Sequence, residues 1–206
     1  MSQFIISNLR KEIKGEWSYL ICDFDVEGMK SPFDENTIWF AVKKENDYMI
    51  SEKSYNAFFL VPLYLGMYYH AEVKICGKLS KKLYRNMMDY GQQILKNFSP
   101  DLDFTEVIVE KLTDELYDTG SLIGTGISCG VDSLSTIYDR YIKERDPDYK
   151  LNGLFIFNCG THGDYENPET QKRFQERYEL NKTAAEDMNL PAYQVNSNLH
   201  AFTHKI

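Results

Sequence analysis

The chain has 206 residues, of which 43% are hydrophobic and 26% charged, a composition that favours a folded protein with a sizeable core. A net charge of −8 argues against general binding to nucleic acid, whose phosphates attract basic surfaces. No run of about 18 uncharged apolar residues predicts a membrane span, and four scattered cysteines indicate reduced thiols in a cytoplasmic protein.

Residues 1–112 are predicted to form an α+β domain in which strands alternate with two helices. Aromatic and β-branched residues indicate strands at 17–25, 37–43, 70–76 and 104–112. Ser80 is a predicted helix cap. It precedes apolar residues on one helical face that we expect to contact the core: Leu83, Met87, Tyr90, Ile94 and Phe98. No residue type here indicates a chemistry, so we expect a recognition module or a homodimerisation module.

Residues 113–120 are polar and end in glycine, which is typical of a linker. From 121 to 206 the pattern alternates between strand and helix. It predicts strands at 121–127, at 151–158 and from 192, and helices at 131–143 and 169–188. This alternation favours the α/β class, with βαβ units in a doubly wound parallel sheet. The apolar run at 151–158 predicts a strand buried on both faces.

Residues 124–133, which we call the anion loop, join the first of these strands to its helix. Ligands of open parallel sheets bind at the carboxyl ends of the strands, where this loop lies. Glycines permit close backbone approach, and the first turn of the helix offers unpaired N–H groups to an anion. Hydroxyls add donors, and one carboxylate is suited to Mg²⁺. The residues expected to serve these roles are Gly126, Ser128, Gly130, Asp132 and Ser133.

The hexapeptide Ser-Cys-Gly-Val-Asp-Ser at 128–133 resembles the Ser-Gly-Gly-x-Asp-Ser signature of N-type ATP pyrophosphatases, the PP-loop superfamily. That superfamily includes asparagine synthetase, GMP synthetase and the 7-cyano-7-deazaguanine synthase group. Cys129 stands where the signature has glycine. The resemblance covers about residues 121–198 and implies a fold like that of the adenine nucleotide alpha hydrolases. It also implies cleavage of ATP between the α- and β-phosphates, with adenylation of a carboxylate or carbonyl oxygen.

The resemblance implies ATP and Mg²⁺ as ligands and a small molecule or peptide as the acceptor substrate. It makes Asp132 and Ser133 catalytic and Asp132 the metal ligand. The residues implied to bind the nucleotide are Gly126, Ser128, Cys129, Gly130, Asp132, Ser133, Asn158 and Cys159. Domains of this family continue through two further strands, so we expect this chain to be the N-terminal portion of a longer protein.

Two other functions stay open on the sequence alone. Residues 126–130 match the GxSxG nucleophile elbow of α/β-hydrolases, with Ser128 as nucleophile, although little sheet follows to position a histidine. A non-catalytic nucleotide-binding or interaction module with an altered loop is the other alternative. His162 and Asp164, after the second strand of this half, are further candidates for contact with substrate or metal. A Walker-type P-loop is excluded because the loop has no lysine.

Overall fold

The computed structural model describes residues 2–115 and 122–204. The strands of these ranges are β1 (Gln3–Lys14), β2 (Trp17–Glu27), β3 (Thr37–Lys43), β4 (Glu72–Ser80), β5 (Val107–Thr113), β6 (Gly124–Gly126), β7 (Gly153–Asn158) and β8 (Ala192–Ser197). The α-helices are α1 (Leu60–Tyr69), α2 (Lys81–Asn86), α3 (Gln92–Phe98), α4 (Val131–Ile137), α5 (Pro168–Asp187) and α6 (His200–Thr203). None of the helices in the described ranges is long and apolar enough to cross a lipid bilayer.

The strands form one mixed sheet in the order β5-β4-β1-β2-β3-β8-β7-β6. Strands β6, β7 and β8 are parallel to one another, which confirms an α/β arrangement with a parallel C-terminal part. Strands β1, β2 and β3 form an antiparallel meander, while β4 and β5 extend it in parallel. Of the expected linker at 113–120, Thr113 ends β5, and 116–120 lie outside the described residues.

Strands β3 and β8 join the two halves of the chain in antiparallel register. The paired positions are Phe40 with Ser197, Ala41 with Asn196, and Val42 with Val195. Asn198 reinforces this contact, because its Oδ1 accepts a hydrogen bond from the Trp39 N–H at 3.0 Å. Its Nδ2 donates to the Thr37 carbonyl at 2.8 Å. The side chain of Asn198 thereby continues the sheet pairing beyond the end of β8.

Helices α1 and α3 of the first half and helices α4 and α5 of the second half cover opposite faces of the sheet. Directly paired residues share a face, and neighbours along a strand alternate between faces. The register therefore places Leu20, Phe40 and Phe157 on one face. Helices α1 and α3 pack on this face over the first half of the chain. Leu154 and Ile156 project to the other face, where they pack against α4 and α5.

Both α4 and α5 cover the same face of β6–β8, because these strands are adjacent in chain order and successive crossovers of one hand lie on one side. The opposite face of β7 carries Phe155 and Phe157, whose rings stack at 5.9 Å. No α-helix of the described residues covers these rings, and Phe157 is 47% exposed. The expectation that 151–158 is buried on both faces is therefore wrong.

The first core is largely aromatic and lies under α1. Its fully buried phenylalanines are Phe4, Phe24, Phe58, Phe59 and Phe202. Phe202 comes from α6, at the far end of the described chain, and its ring lies 5.1 Å from those of Phe24 and Phe33. The second core is smaller and aliphatic, and it fills the space between β7, α4 and α5.

The helical segment between Ser80 and Ser99 contains a π-helical turn at Met87–Gly91. Such a turn adds one residue and changes which side chains face the core. Leu83 and Met87, before and at the turn, pack against the first core as expected. Gln92, directly after it, is buried, whereas three apolar residues expected to be inside are exposed: Tyr90 within the turn at 67%, and Ile94 and Phe98 after it at 54% and 85%. The predicted stripe is thus wrong beyond the π-turn.

Candidate functional site

The anion loop lies at the carboxyl edge of the parallel strands, between β6 and α4. The Ile127 N–H donates to the Phe155 carbonyl at 2.9 Å, and the Ile127 side chain is buried in the second core. Gly130 is the N-cap residue of α4, and its carbonyl accepts from the Leu134 N–H at 3.0 Å. The loop is therefore fixed on both sides, and residues 128–130 between these two contacts are exposed.

Cys129 adopts the left-handed conformation, with φ of 57°. This conformation is unstrained for glycine and unfavourable for other L-residues. The Cys129 thiol lies 3.0 Å from Asn181 Oδ1 of α5, so the side chain is directed to the neighbouring helix.

The two serines of the anion loop lie next to each other. Ser133 Oγ donates to the Gly130 carbonyl at 2.9 Å, and the two hydroxyl oxygens are 3.3 Å apart. The Gly130 N–H reaches Ser128 Oγ at 3.4 Å, which is long for a hydrogen bond. The Ser128 hydroxyl and the Gly130 N–H, whose bonds within the loop are long, are available to a stronger acceptor such as a phosphate oxygen.

Asp132 occupies the first turn of α4 and is exposed. Within the described ranges its carboxylate makes no ion pair or side-chain hydrogen bond, and no group of three or more metal-ligating side chains is present. Mg²⁺ sites in nucleotide-binding proteins commonly use one or two carboxylates, with water and phosphate as the other ligands. Asp132 fits that kind of site as a single protein ligand.

Helix α5 adds two residues that the sequence analysis did not identify. The Arg177 guanidinium donates to the Ser128 carbonyl at 2.7 Å, and Asn181 lies one turn further along the helix. The available signal was a polar residue on the inner face of α5: Asn181 follows Phe174 at helical spacing and is completely buried. Its contact with the anion loop depends on tertiary packing and is not encoded locally.

A cavity of about 380 Å³ opens beside the loop, within the range of small-molecule sites. Its polar lining includes Ser128, His162, Arg177 and Asn181, and its apolar lining includes Ile127, Phe155, Ile156 and Phe157. No carboxylate lines it. The cavity thus combines one basic side chain and several hydrogen-bonding groups with apolar residues.

Asn158 and Cys159, at the end of β7, do not line this cavity. Asn158 is buried and donates from Nδ2 to Asn196 Oδ1 at 3.0 Å. Its own Oδ1 has no hydrogen-bond partner among the described residues. Burial raises the pKa of the Cys159 thiol to about 11. Their contact with a nucleotide stays a prediction.

Residues 159–167 separate this cavity from a second one of about 300 Å³. His162 lines the first cavity and Asp164 the second, so the two candidates proposed from the sequence have different surroundings. Asp164 Oδ1 lies 2.5 Å from His200 Nδ1. The segment ends at Asn167, whose side chain caps α5 by accepting from the Glu169 N–H at 2.9 Å.

The geometry of a serine hydrolase is incomplete around Ser128. A nucleophile elbow places the serine itself in the strained turn, whereas here Cys129 has the positive φ. No histidine is hydrogen-bonded to Ser128 in the described structure, although His162 lines the same cavity. The His200–Asp164 pair belongs to the other cavity.

The described residues bring most of the predicted contacts to one edge of the sheet. Gly126, Ser128, Gly130, Asp132 and Ser133 lie in a single strand-to-helix turn, and α5 contributes Arg177. Comparisons of the chain with models of protein families, with curated proteins and with solved structures found no match.

Proposed function

We propose that the anion loop binds the triphosphate of ATP with Mg²⁺, and that the chain is part of an adenylating enzyme of the PP-loop superfamily. The reaction releases AMP and pyrophosphate and acts on a carboxylate or carbonyl of a small molecule or peptide. The observation that carries this proposal is that Ser128 of the anion loop and Arg177 line one cavity that has no carboxylate in its wall.

The donors on the loop suit phosphate oxygens. N–H groups in the first turn of α4 have no partner within the helix, and Gly130 permits close approach of an anion to them. The Ser128 hydroxyl, whose bond to Ser133 Oγ is long at 3.3 Å, adds a further donor. Arg177 brings a positive charge, and its planar guanidinium matches the geometry of phosphate.

Asp132 would hold the Mg²⁺ ion, which neutralises the polyphosphate and increases the reactivity of the α-phosphorus when bound. The loop, Ser133 and Arg177 would retain the β- and γ-phosphates as they leave together as pyrophosphate. The adenine ring would contact the apolar lining of the cavity, to which Ile127, Ile156 and Phe157 contribute. The acceptor then approaches the α-phosphate from the open side of the cavity.

Calorimetric titration with α,β-methylene ATP and MgCl₂ tests the binding step, because this analogue is not cleaved between its α- and β-phosphates. We expect Arg177→Met to weaken binding by roughly 10-fold to 100-fold, the range for a hydrogen bond to a charged group. Arg173→Met is the matched control, since Arg173 is exposed on the same helix and does not line the cavity. Equal losses in the two variants would contradict the proposal.

Product analysis with ATP and candidate carboxylic acids tests the chemical step. AMP with pyrophosphate is the expected outcome, and ADP with phosphate would overturn the reaction type. Binding of the analogue without turnover of any acid would assign the chain to the non-catalytic module instead. A fluorophosphonate probe should leave Ser128 unlabelled, whereas labelling there would favour the hydrolase.

A further inference from the structure

The second cavity has a rigid aromatic wall. The rings of Trp39 and Tyr165 meet edge to face with centroids 4.7 Å apart, and the Tyr19 ring lies 5.2 Å from that of Trp39. The backbone of Trp39 is held by Asn198 in the paired strand β3, whereas Tyr165 comes from the segment 159–167. With a volume of about 300 Å³, the cavity admits a ligand of single-ring size.

The polar groups of this cavity are predominantly acceptors. Glu35, Asp164 and Glu166 line it, and no lysine or arginine does. In the described ranges Glu35 and Glu166 form no ion pair, so their charges stay uncompensated by the protein. The oxygen and the NH₂ group of the Asn198 side-chain amide already form hydrogen bonds with the backbone of β3.

His200 is an acceptor as well when its ring is neutral. An ionised Asp164 accepts only, so the His200 Nδ1 at 2.5 Å must be the donor of that hydrogen bond. In the neutral ring the proton is then on Nδ1, and Nε2 retains its lone pair. A ligand that matches this lining has to donate hydrogen bonds and carry positive charge.

We propose that this cavity binds an organic cation, an amine or guanidinium compound with a body of single-ring size. Glu35 and Glu166 supply the charge that attracts it. Trp39 and Tyr165 contact its body, and aromatic faces also attract cations within about 6 Å. An anion is excluded by the carboxylates. A divalent metal ion would bind the carboxylates alone and make no use of the Trp39 and Tyr165 rings.

Trp39 allows binding to be observed directly, because the chain has only two tryptophans and the other is Trp17 in β2. In a Trp17→Phe protein, tryptophan emission reports on this cavity alone. We expect phenethylamine hydrochloride to change the emission saturably and 2-phenylethanol, its neutral analogue, to bind at least about tenfold more weakly. Calorimetry on the unsubstituted chain repeats the comparison in case Trp17→Phe impairs folding.

Charge-removing variants provide the second test. We expect Glu166→Gln and Glu35→Gln each to weaken phenethylamine binding by about threefold or more, since one attractive charge is lost. Glu52→Gln, an exposed glutamate outside the cavity, is the control and should bind as the parent does. Equal binding of amine and alcohol, equal losses in all three variants, or competitive displacement of the amine by CaCl₂ would each overturn the proposal.

This site stands independently of the nucleotide proposal, since none of its lining residues lines the cavity beside the anion loop. Glu166→Gln should therefore leave binding of α,β-methylene ATP unchanged, and Arg177→Met should leave binding of phenethylamine unchanged. The two measurements separate failure at one cavity from failure at the other.

Discussion

Cys129 combines a cysteine side chain with a backbone conformation that glycine prefers, at φ of 57°. We expect Cys129→Gly to change the free energy of unfolding by less than about 1 kcal/mol, because relief of left-handed strain offsets the added freedom of the unfolded chain. Cys129→Val should lower it by roughly 1–2 kcal/mol, since a β-branched residue is a poor fit at positive φ. Urea denaturation of both variants measures this, and a larger loss for glycine than for valine would contradict it.

The thiols of Cys129 and Cys159 differ in their exposure to solvent and reagents. Cys129 is exposed, whereas burial raises the pKa of Cys159 to about 11 and raises that of Cys22 further still. A raised thiol pKa means that the reactive thiolate is scarce at pH 8 and increases with pH. Iodoacetamide should label Cys129 first, and Cys159 should react about tenfold faster for each pH unit towards 11. Peptide mass spectrometry identifies the order, and early labelling of Cys159 at pH 8 would be inconsistent with its burial.

At the scale of elements, the π-turn at Met87–Gly91 reverses the roles of polar and apolar residues in α3. Gln92 is buried, with Oε1 accepting from the Thr105 N–H at 2.7 Å and Nε2 donating to the Thr105 carbonyl at 3.1 Å. Gln92→Met leaves both backbone groups unpaired and should destabilise the protein by about 1–3 kcal/mol. Ile94→Ser, at an exposed position, should cost less than about 0.5 kcal/mol. The denaturant midpoints of the two variants test this ranking. An uninterrupted α-helix would place Ile94 inside, so it would make Ile94→Ser the more destabilising change.

Strands whose side chains carry a strong pattern were predictable from the sequence. Residues 17–25 and 37–43 form β2 and β3 because aromatic and β-branched residues fit a pleated sheet. Strand β1 was not predicted, although it lies between β4 and β2. Only Gln3–Ile6 of β1 pairs with β4, and the later, charged part pairs with β2 alone, so its apolar alternation fades.

The position of the anion loop was likewise predictable, because glycines and hydroxyls interrupt an apolar strand just before a helix. The role of Arg177 was not, since it depends on how α5 packs across the loop, 49 positions from Ser128 in sequence. The second cavity is harder still to predict. Trp39, Tyr165 and His200 come from three distant segments and meet only when β3 and β8 pair.

For the whole molecule, Phe202 links the C-terminal half to the first core. It is completely buried, and its ring packs on Phe24 and Phe33. Phe202→Ala removes a large buried ring and should lower the free energy of unfolding by about 3–5 kcal/mol. Phe98→Ala is the matched control, because Phe98 is exposed and should cost less than about 0.5 kcal/mol. Circular dichroism in urea measures the free energy of unfolding of both variants. Similar losses in the two would contradict the position of Phe202 in the first core.

The pairing of β3 with β8 also has a consequence for the order of folding. Trp39 and Asn198, which bond across this pair, are 159 positions apart, and contacts so distant in sequence form late because a long loop must close first. During synthesis on the ribosome, the first core therefore lacks the Phe202 ring until α6 has been made. Until that helix emerges, the nascent chain presents an unfilled hydrophobic opening, which is the kind of surface that chaperones recognise.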